Sequence, residues 1–581
     1  MSSRGKPARS RRPDGANLFY AMKRFRLFPV ALLAAATLTS AFTPARADPT
    51  GAARATYDWS RDEFQFTFPF DNPLTKGGAK SSPHSTVYLY IPVTAKKVRA
   101  LLLLQQNVIE QMISVHPAIR RVCDADDVAI AWCSPGFDLV FKENPGKLHE
   151  LIQEQFRAFG RTIGYPELGD APLIAFGHSN TTAYAQNGAE ARPDRVLAVL
   201  ATHGWNGVNA LERYRGPELV YVGTYWEQRQ QTLGNGSNKG VASLAEVRKR
   251  LQRGWRPISI VEEYGSGHFD YSEPVVDVFA MYIDKAIEAR LAPDGTLKDL
   301  RAGDGCIAEI PAFPTGPIPI QRYAEASPAA RAASPWYFDR EMAEAAVKVI
   351  EQSGPWNRAT QLIGFERLDG TLAPFSKSGP VSPAPYRIVP GTNELQVFPV
   401  LLTEFPAGFK EHGRRIERSS DPAITLAYDC GPYIYRDAGG RYRVKLNRNG
   451  FGGYLVARSA GDARVRPAVQ GARFVLAGDR PATAGQRKED GAPQVWPVGP
   501  APIENPGDQK PGATITLPRR GSAAQFHGYY VDHGPARVVD GVLEILPLPA
   551  NTPGPVEVKL TSYLLSQTVD GLSSVTFQVS R

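Results

Sequence analysis

The chain has 581 residues, too many for one hydrophobic core, and its 43% hydrophobic and 22% charged residues are an ordinary globular composition. Its 67 basic and 58 acidic side chains give a formal charge of +9, yet nine of the basic groups and one acid, Asp14, fall in the first 47 residues. The remainder holds 58 basic against 57 acidic groups, so charge implies no nucleic-acid or membrane-surface partner.

Residues 1–47 read as a leader. Lys23, Arg24 and Arg26 precede an apolar run from Leu27 to about Phe42, and Ala45-Arg46-Ala47 fits a signal-peptidase triplet. Residues 1–21 show no fold pattern, which makes Met22 an alternative start. The run is shorter than a spanning helix, so the expectation is a secreted or periplasmic protein without stable membrane insertion after cleavage. An uncleaved anchor is the alternative. Export permits disulfides among Cys123, Cys133, Cys306 and Cys430, and Cys123 and Cys133 flank one apolar segment and could pair. No cysteine spacing resembles a metal site.

From Ser85 onward, apolar strands alternate with helical patterns. Strands are predicted at 87–91, 98–104 and 128–132, with a helix from about Val108 to Arg121 between the last two. Leu148, Leu151, Ile152, Phe156 and Phe159 repeat at helical spacing. Further strands are predicted at 173–176, 196–201, 219–222 and 258–261, and a helix from Val275 to Arg290 closes the region. Such alternation predicts a mostly parallel sheet covered on both faces, within a domain spanning 48–300.

The pattern changes after residue 300. Residues 301–335 read as a connecting segment, and 336–480 as a helix followed by a β-rich domain. In that helix Met342, Ala345, Ala346, Val349 and Ile350 share one face. Tyr433-Ile434-Tyr435 and Tyr442-Arg443-Val444, separated by Asp437-Ala438-Gly439-Gly440, form a hairpin signal. Residues 481–512 are a Pro/Gly-rich linker. Residues 513–581, with strands at 538–546, 556–564 and 575–579, resemble a small immunoglobulin-like β-sandwich.

Gly177-His178-Ser179-Asn180-Thr181 directly follows the 173–176 strand and precedes a helix-compatible stretch. A strand that delivers a serine on a sharp turn into a helix exposes its hydroxyl for attack. Gly177 suits the crowded turn, whereas Thr181 stands where a second glycine is usual. A histidine, His268, lies on the Gly-rich loop after the 258–261 strand, and Glu227 is the first carboxylate after the 219–222 strand. Asp270 and Glu262 are competitors for the acid. On these residues the region from about 85 to 290 resembles the α/β-hydrolase superfamily.

That resemblance implies a fold of the α/β class and a triad of Ser179 as nucleophile, His268 as base and Glu227 as orienting acid. It also implies an oxyanion hole of two backbone amides, Asn180 and one from the loop Gln105-Gln106-Asn107, with Gln106 favoured. Trp205, Tyr225, Trp226 and Phe269 are candidate substrate contacts on loops facing the same end. No metal and no cofactor is expected, His178 and His203 lacking a third partner in the sequence. Too few residues separate Ala201 from Leu219 for a large lid, which favours a bulky or polymer-borne ester over a free lipid. The expectation is a secreted serine carboxylester hydrolase acting on an ester-bearing small molecule or polysaccharide. The alternatives are a serine peptidase on the same triad and a non-catalytic extracellular binding protein with this fold.

Overall fold

The computed structural model describes residues 64–75, 82–107, 109–136, 144–204, 212–223, 244–263, 266, 271–311, 316–353, 358–367, 369–375, 381, 385, 387–388, 394–407, 409, 411–430, 433–435, 441–444, 453–474, 498–499, 501, 503–518, 526–539, 541–565 and 570–581. All lie in the unit Tyr57–Arg581. The expected leader, 1–47, lies outside the described residues. Among the described residues, no helix is long and apolar enough to cross a membrane.

Eight strands build the central sheet: β1 (Phe66–Asp71), β2 (His84–Tyr90), β3 (Ala100–Gln105), β4 (Val128–Ser134), β5 (Leu173–His178), β6 (Val196–Thr202), β7 (Glu218–Gly223) and β8 (Ile258–Glu263). Their spatial order is β1-β2-β4-β3-β5-β6-β7-β8. β2 runs antiparallel to both neighbours, and every pairing from β4 to β8 is parallel. This is an α/β-hydrolase-like sheet. Helices packed around it include α1 (Glu110–Val115), α2 (Pro117–Ala125), α3 (Pro145–Ile163), α4 (Thr182–Ala191), α5 (Leu244–Leu251), α6 (Glu273–Arg290) and α7 (Arg340–Ser353).

Both faces of the sheet are covered, which is why its central strands read as unbroken apolar runs. Leu102, Leu104, Ile174, Phe176 and Leu200 share a core with Ile113 of α1, Ile119 of α2, Phe279 of α6 and Met342 of α7. Leu101, Leu103, Ala129, Ala131 and Ala175 share the other with Phe156 of α3 and Tyr184 of α4. Cys123 belongs to the first core and Cys133 to the second. They therefore lie on opposite faces, and the suggested pairing does not form: Cys123, Cys133 and Cys306 are all free thiols. The Cys430 side chain lies outside the described residues.

One strand is unexpected, and two expected elements are divided. β1 precedes the first predicted strand, and its alternating buried Phe66, Phe68 and Phe70 are the period-2 signal for it. The helix predicted over 108–121 is two helices, because Pro117 drives His116 into an extended backbone (φ −63°, ψ 136°) and breaks the run. The strand predicted at 538–546 is split into Ala536–Val539 and Val542–Ile545 by Gly541, at φ +81°.

The later segments lean on this scaffold. Strands Cys306–Ala308, Ile320–Arg322 and Trp336–Tyr337 pair in a small sheet. Cys306, Ala308, Trp336 and Tyr337 join the first core together with α7, so the expected boundary at 335/336 runs through continuous packing. The hairpin signal forms, with Ile434 opposite Arg443. Strand Thr425–Cys430 lies alongside α1. At the C-terminus, strands Phe526–His533, Val556–Leu565 and Asp570–Val579 pair with Val498–Gly499 in one sheet, while Thr514–Thr516, Val542–Ile545 and Ala536–Val539 form another. Val558, Leu560 and Phe577 join the second core. Ala550 N–H donates to Val93 O (3.0 Å), Asn551 Nδ2 to Lys96 O (2.7 Å) and Thr552 Oγ1 to Ile163 O (3.2 Å). Val93 and Lys96 precede β3 and Ile163 precedes β5, so this docking lies at the N-terminal ends of the parallel strands.

Two stability tests follow from buried charge. Glu218 and Arg250 form an almost wholly buried ion pair at 2.8 Å. Glu218→Ala removes the carboxylate from the buried guanidinium of Arg250 and from the Gln186 amide, and urea denaturation should show a loss of about 3–5 kcal/mol. On α3, burial pushes the His149 imidazole down to about 4 from 6.5, with the charges of Arg195 and Arg192 acting the same way. The folded value lies below the unfolded one, so stability is intact above pH 6.5 and falls as the pH drops towards 4, where the unfolded chain takes up a proton that the folded chain refuses. The loss between pH 7 and 4.5 should be larger by roughly 2 kcal/mol in the wild type than in His149→Gln.

Candidate functional site

β5 ends at His178, Ser179–Thr181 make a single 3₁₀ turn, and α4 begins at Thr182. Turning from strand to helix in so few residues forces Ser179 to φ +54°, a left-handed backbone that costs a non-glycine residue on the order of 1–3 kcal/mol. The reversal lifts Ser179 to partial exposure above the wholly buried His178. Such a turn needs bare backbone beside it. A Cβ on Gly177 would lie 2.2 Å from Thr181 O, and one on Gly204 would lie 2.5 Å from Ser179 O. Thr182 Oγ1 donates to Ser179 O at 2.6 Å.

Thr181 fits the position usually held by glycine because its side chain turns inward. Its Oγ1 accepts from His178 N–H (2.6 Å) and lies 2.5 Å from Oε1 of Glu110, a fully buried carboxylate at the start of α1. Glu110 Oε1 also accepts from His178 N–H (3.1 Å), and Oε2 accepts from Asn107 N–H (3.2 Å). Asn107 Nδ2 donates to His178 O at 2.7 Å. The sequence reading considered Asn107 only as a backbone-amide donor and passed over Glu110. Their spacing, Asn-x-x-Glu before an apolar run, is a capping-box signal. Only the glutamate half of such a box forms, since the Asn107 side chain is spent across the sheet on β5.

Of the two expected oxyanion donors, one is available and one is not. Asn180 is exposed, and its amide has no hydrogen-bond partner among the described residues. Gln106 is a correction: its N–H donates to Cys133 O at 2.8 Å. The parallel ladder between β3 and β4 continues one bond past Gln105, which turns that amide sideways rather than towards Ser179. The Gln106 side chain is engaged as well, Oε1 accepting from Ser134 Oγ at 2.8 Å.

Beyond the elbow, the ends of β6, β7 and β8 meet. The His178 and His203 rings pack edge to face at 5.5 Å, and His203 packs on Tyr221 at 4.5 Å. His203 Nδ1 accepts from Gly223 N–H (3.3 Å), so that nitrogen is committed to the protein. Among the described residues, no group of three or more His, Cys, Asp or Glu could hold a metal ion. Tyr221 OH donates to Glu263 Oε2 (2.7 Å) and bonds Ser266 Oγ (2.8 Å). Glu227, His268, Trp205, Tyr225, Trp226 and Phe269 lie outside the described residues, so the site as described consists of Ser179, Asn180 and their supports.

A methyl group at Gly177 cannot enter without moving the Thr181–Thr182 backbone that closes the turn, nor one at Gly204 without moving the Ser179 backbone. Gly177→Ala and Gly204→Ala should each slow labelling of Ser179 by a fluorophosphonate at least about 100-fold, the scale expected of a misplacement near 1 Å. The check is the labelling rate of variants shown by circular dichroism to be folded.

No family model and no curated protein matches the chain. Among solved structures it is similar to an α/β serine hydrolase without lid from Xanthomonas campestris, at 13% identity and a TM-score of 0.27, over 38% of this chain and 93% of that one. A dienelactone hydrolase from Anabaena variabilis matches at 14% and 0.27, over 41% and 100%. An S-formylglutathione hydrolase from Agrobacterium tumefaciens matches at 12% and 0.26, over 38% and 94%. These likenesses are remote. The chain's own strand order, with β2 its one reversed strand, and the left-handed serine between β5 and α4 are those of the α/β-hydrolase fold.

Proposed function

We propose that the chain is an exported serine carboxylester hydrolase acting on a bulky or polymer-borne ester. The observation that carries this is Ser179 itself. A partly exposed serine is held at φ +54°, at a cost in stability, beside an unengaged Asn180 amide. Strain of this kind persists where chemistry needs it.

Ser179 Oγ attacks the ester carbonyl carbon while His268 removes its proton, and Asn180 N–H stabilises the oxyanion. The intermediate collapses, the alcohol leaves with the proton from His268, and water repeats the cycle on the acyl-enzyme. Glu227 orients the imidazole. Support for His268 comes from its neighbour. Ser266, two positions before His268 in the sequence, is anchored on Tyr221. Tyr221 in turn packs on His203, next to the Gly204 that abuts the Ser179 carbonyl. Partial exposure of Ser179 suits a substrate too large to be enclosed. The strand Thr425–Cys430, alongside α1, supports a role for the middle region beside the cleft. The C-terminal strands dock at the far end and are free of that duty.

Ser179→Ala should abolish hydrolysis of small activated esters without lowering the melting temperature. Ser179→Gly should be equally inactive and slightly more stable, since glycine tolerates positive φ. A panel of acetyl, feruloyl, longer-chain and peptide substrates reads the specificity. Full activity in Ser179→Ala refutes the nucleophile, and turnover of peptide amides but not esters makes the protein a peptidase.

A further inference from the structure

We infer that Glu110 is a positioning residue for the nucleophile, acting with Thr181 as a staple that replaces the second glycine of the elbow. This rests on Ser179 being the nucleophile. Glu110 is fully buried, and its carboxylate takes up donors from two segments that β3 and β5 bring together. On the elbow side, Oε1 accepts from His178 N–H and from the Thr181 hydroxyl. On the loop side, Oε2 accepts from Asn107 N–H, and the Asn107 side chain returns a bond to His178 O. A glycine at 181 would leave the turn free to relax. The threonine hydroxyl instead accepts from His178 N–H and donates to a carboxylate that is itself tied to the loop after β3.

The residues so clamped are His178, directly before Ser179, and Thr181, two positions after it, so the turn through Asn180 is pinned at both ends. A buried carboxylate is satisfied only while its donors stay in place, so burial makes the clamp rigid. The strained serine and the Asn180 amide then keep their positions without a substrate present, which is the preorganisation an oxyanion site needs. The sequence departs from the usual motif at Thr181 because the stabilising partner for that departure stands at Glu110, 71 positions earlier.

The test is a set of full-length variants measured for kcat and KM on an activated ester, for fluorophosphonate labelling and for melting temperature. Glu110→Gln keeps the volume but must present an N–H₂ to one of the donors. Thr181→Val keeps the shape and removes the hydroxyl, and Thr181→Ser restores it. The expected result is a fall in kcat of about 10- to 100-fold for Glu110→Gln and Thr181→Val, with KM within about threefold and recovery in Thr181→Ser. Folded variants with undiminished kcat, or variants altered only in melting temperature, overturn the proposal. If Glu110→Gln does not fold, Thr181→Val against Thr181→Ser decides. A wild type that neither hydrolyses esters nor labels refutes the hydrolase reading instead. The crystal structure of Thr181→Val then decides the staple: departure of Ser179 from the left-handed region supports it, and an unchanged elbow overturns it.

Discussion

One steric constraint organises the functional end of this molecule. The chain must pass from β5 into α4 through a single tight turn, and only a left-handed residue at its apex closes that turn. The backbone of Gly177 lies so close to Thr181, and that of Gly204 so close to Ser179, that neither position has room for a side chain. Two bare stretches of main chain thus converge on one serine. Everything else at the site is arranged around holding that backbone still: the buried Glu110, the crossed bonds of Asn107, and the Thr182 hydroxyl on the Ser179 carbonyl.

The rest of the fold supplies the rigidity this requires. The sheet is buried on both faces, with α1, α2, α6 and α7 on one side and α3 and α4 on the other, so no central strand can shift alone. The C-terminal strands extend the second core and dock at the end of the sheet opposite Ser179. They stabilise the scaffold without crowding the site. The segment carrying strand Thr425–Cys430 approaches from the other side, along α1, the helix that bears Glu110.

Much of the architecture was legible because its signals are local. Each parallel strand is a short apolar run between helical periodicities, and Gly-x-Ser after such a run marks the elbow. The breaks that were missed are also local in cause: Pro117 divides the first helical segment, and Gly541 divides the strand expected at 538–546. The Gln106 amide was misassigned for another reason. Whether a backbone N–H points into a cleft or continues a ladder depends on the register of β3 against β4, which no residue near Gln106 announces.

Sequence alone determined that a serine would stand at a strand-to-helix turn in a mostly parallel sheet, since apolar periodicity and glycine placement are properties of neighbouring residues. It also showed Thr181 to be anomalous. Only the tertiary structure decided why the anomaly is tolerated, why Cys123 and Cys133 stay apart, and which amide beside Ser179 is unengaged. Those answers depend on pairings between segments as distant as Glu110 and Thr181 and on which face of the sheet each side chain occupies. Hydrogen bonds and close approaches across the sheet arise only once the strands are laid side by side.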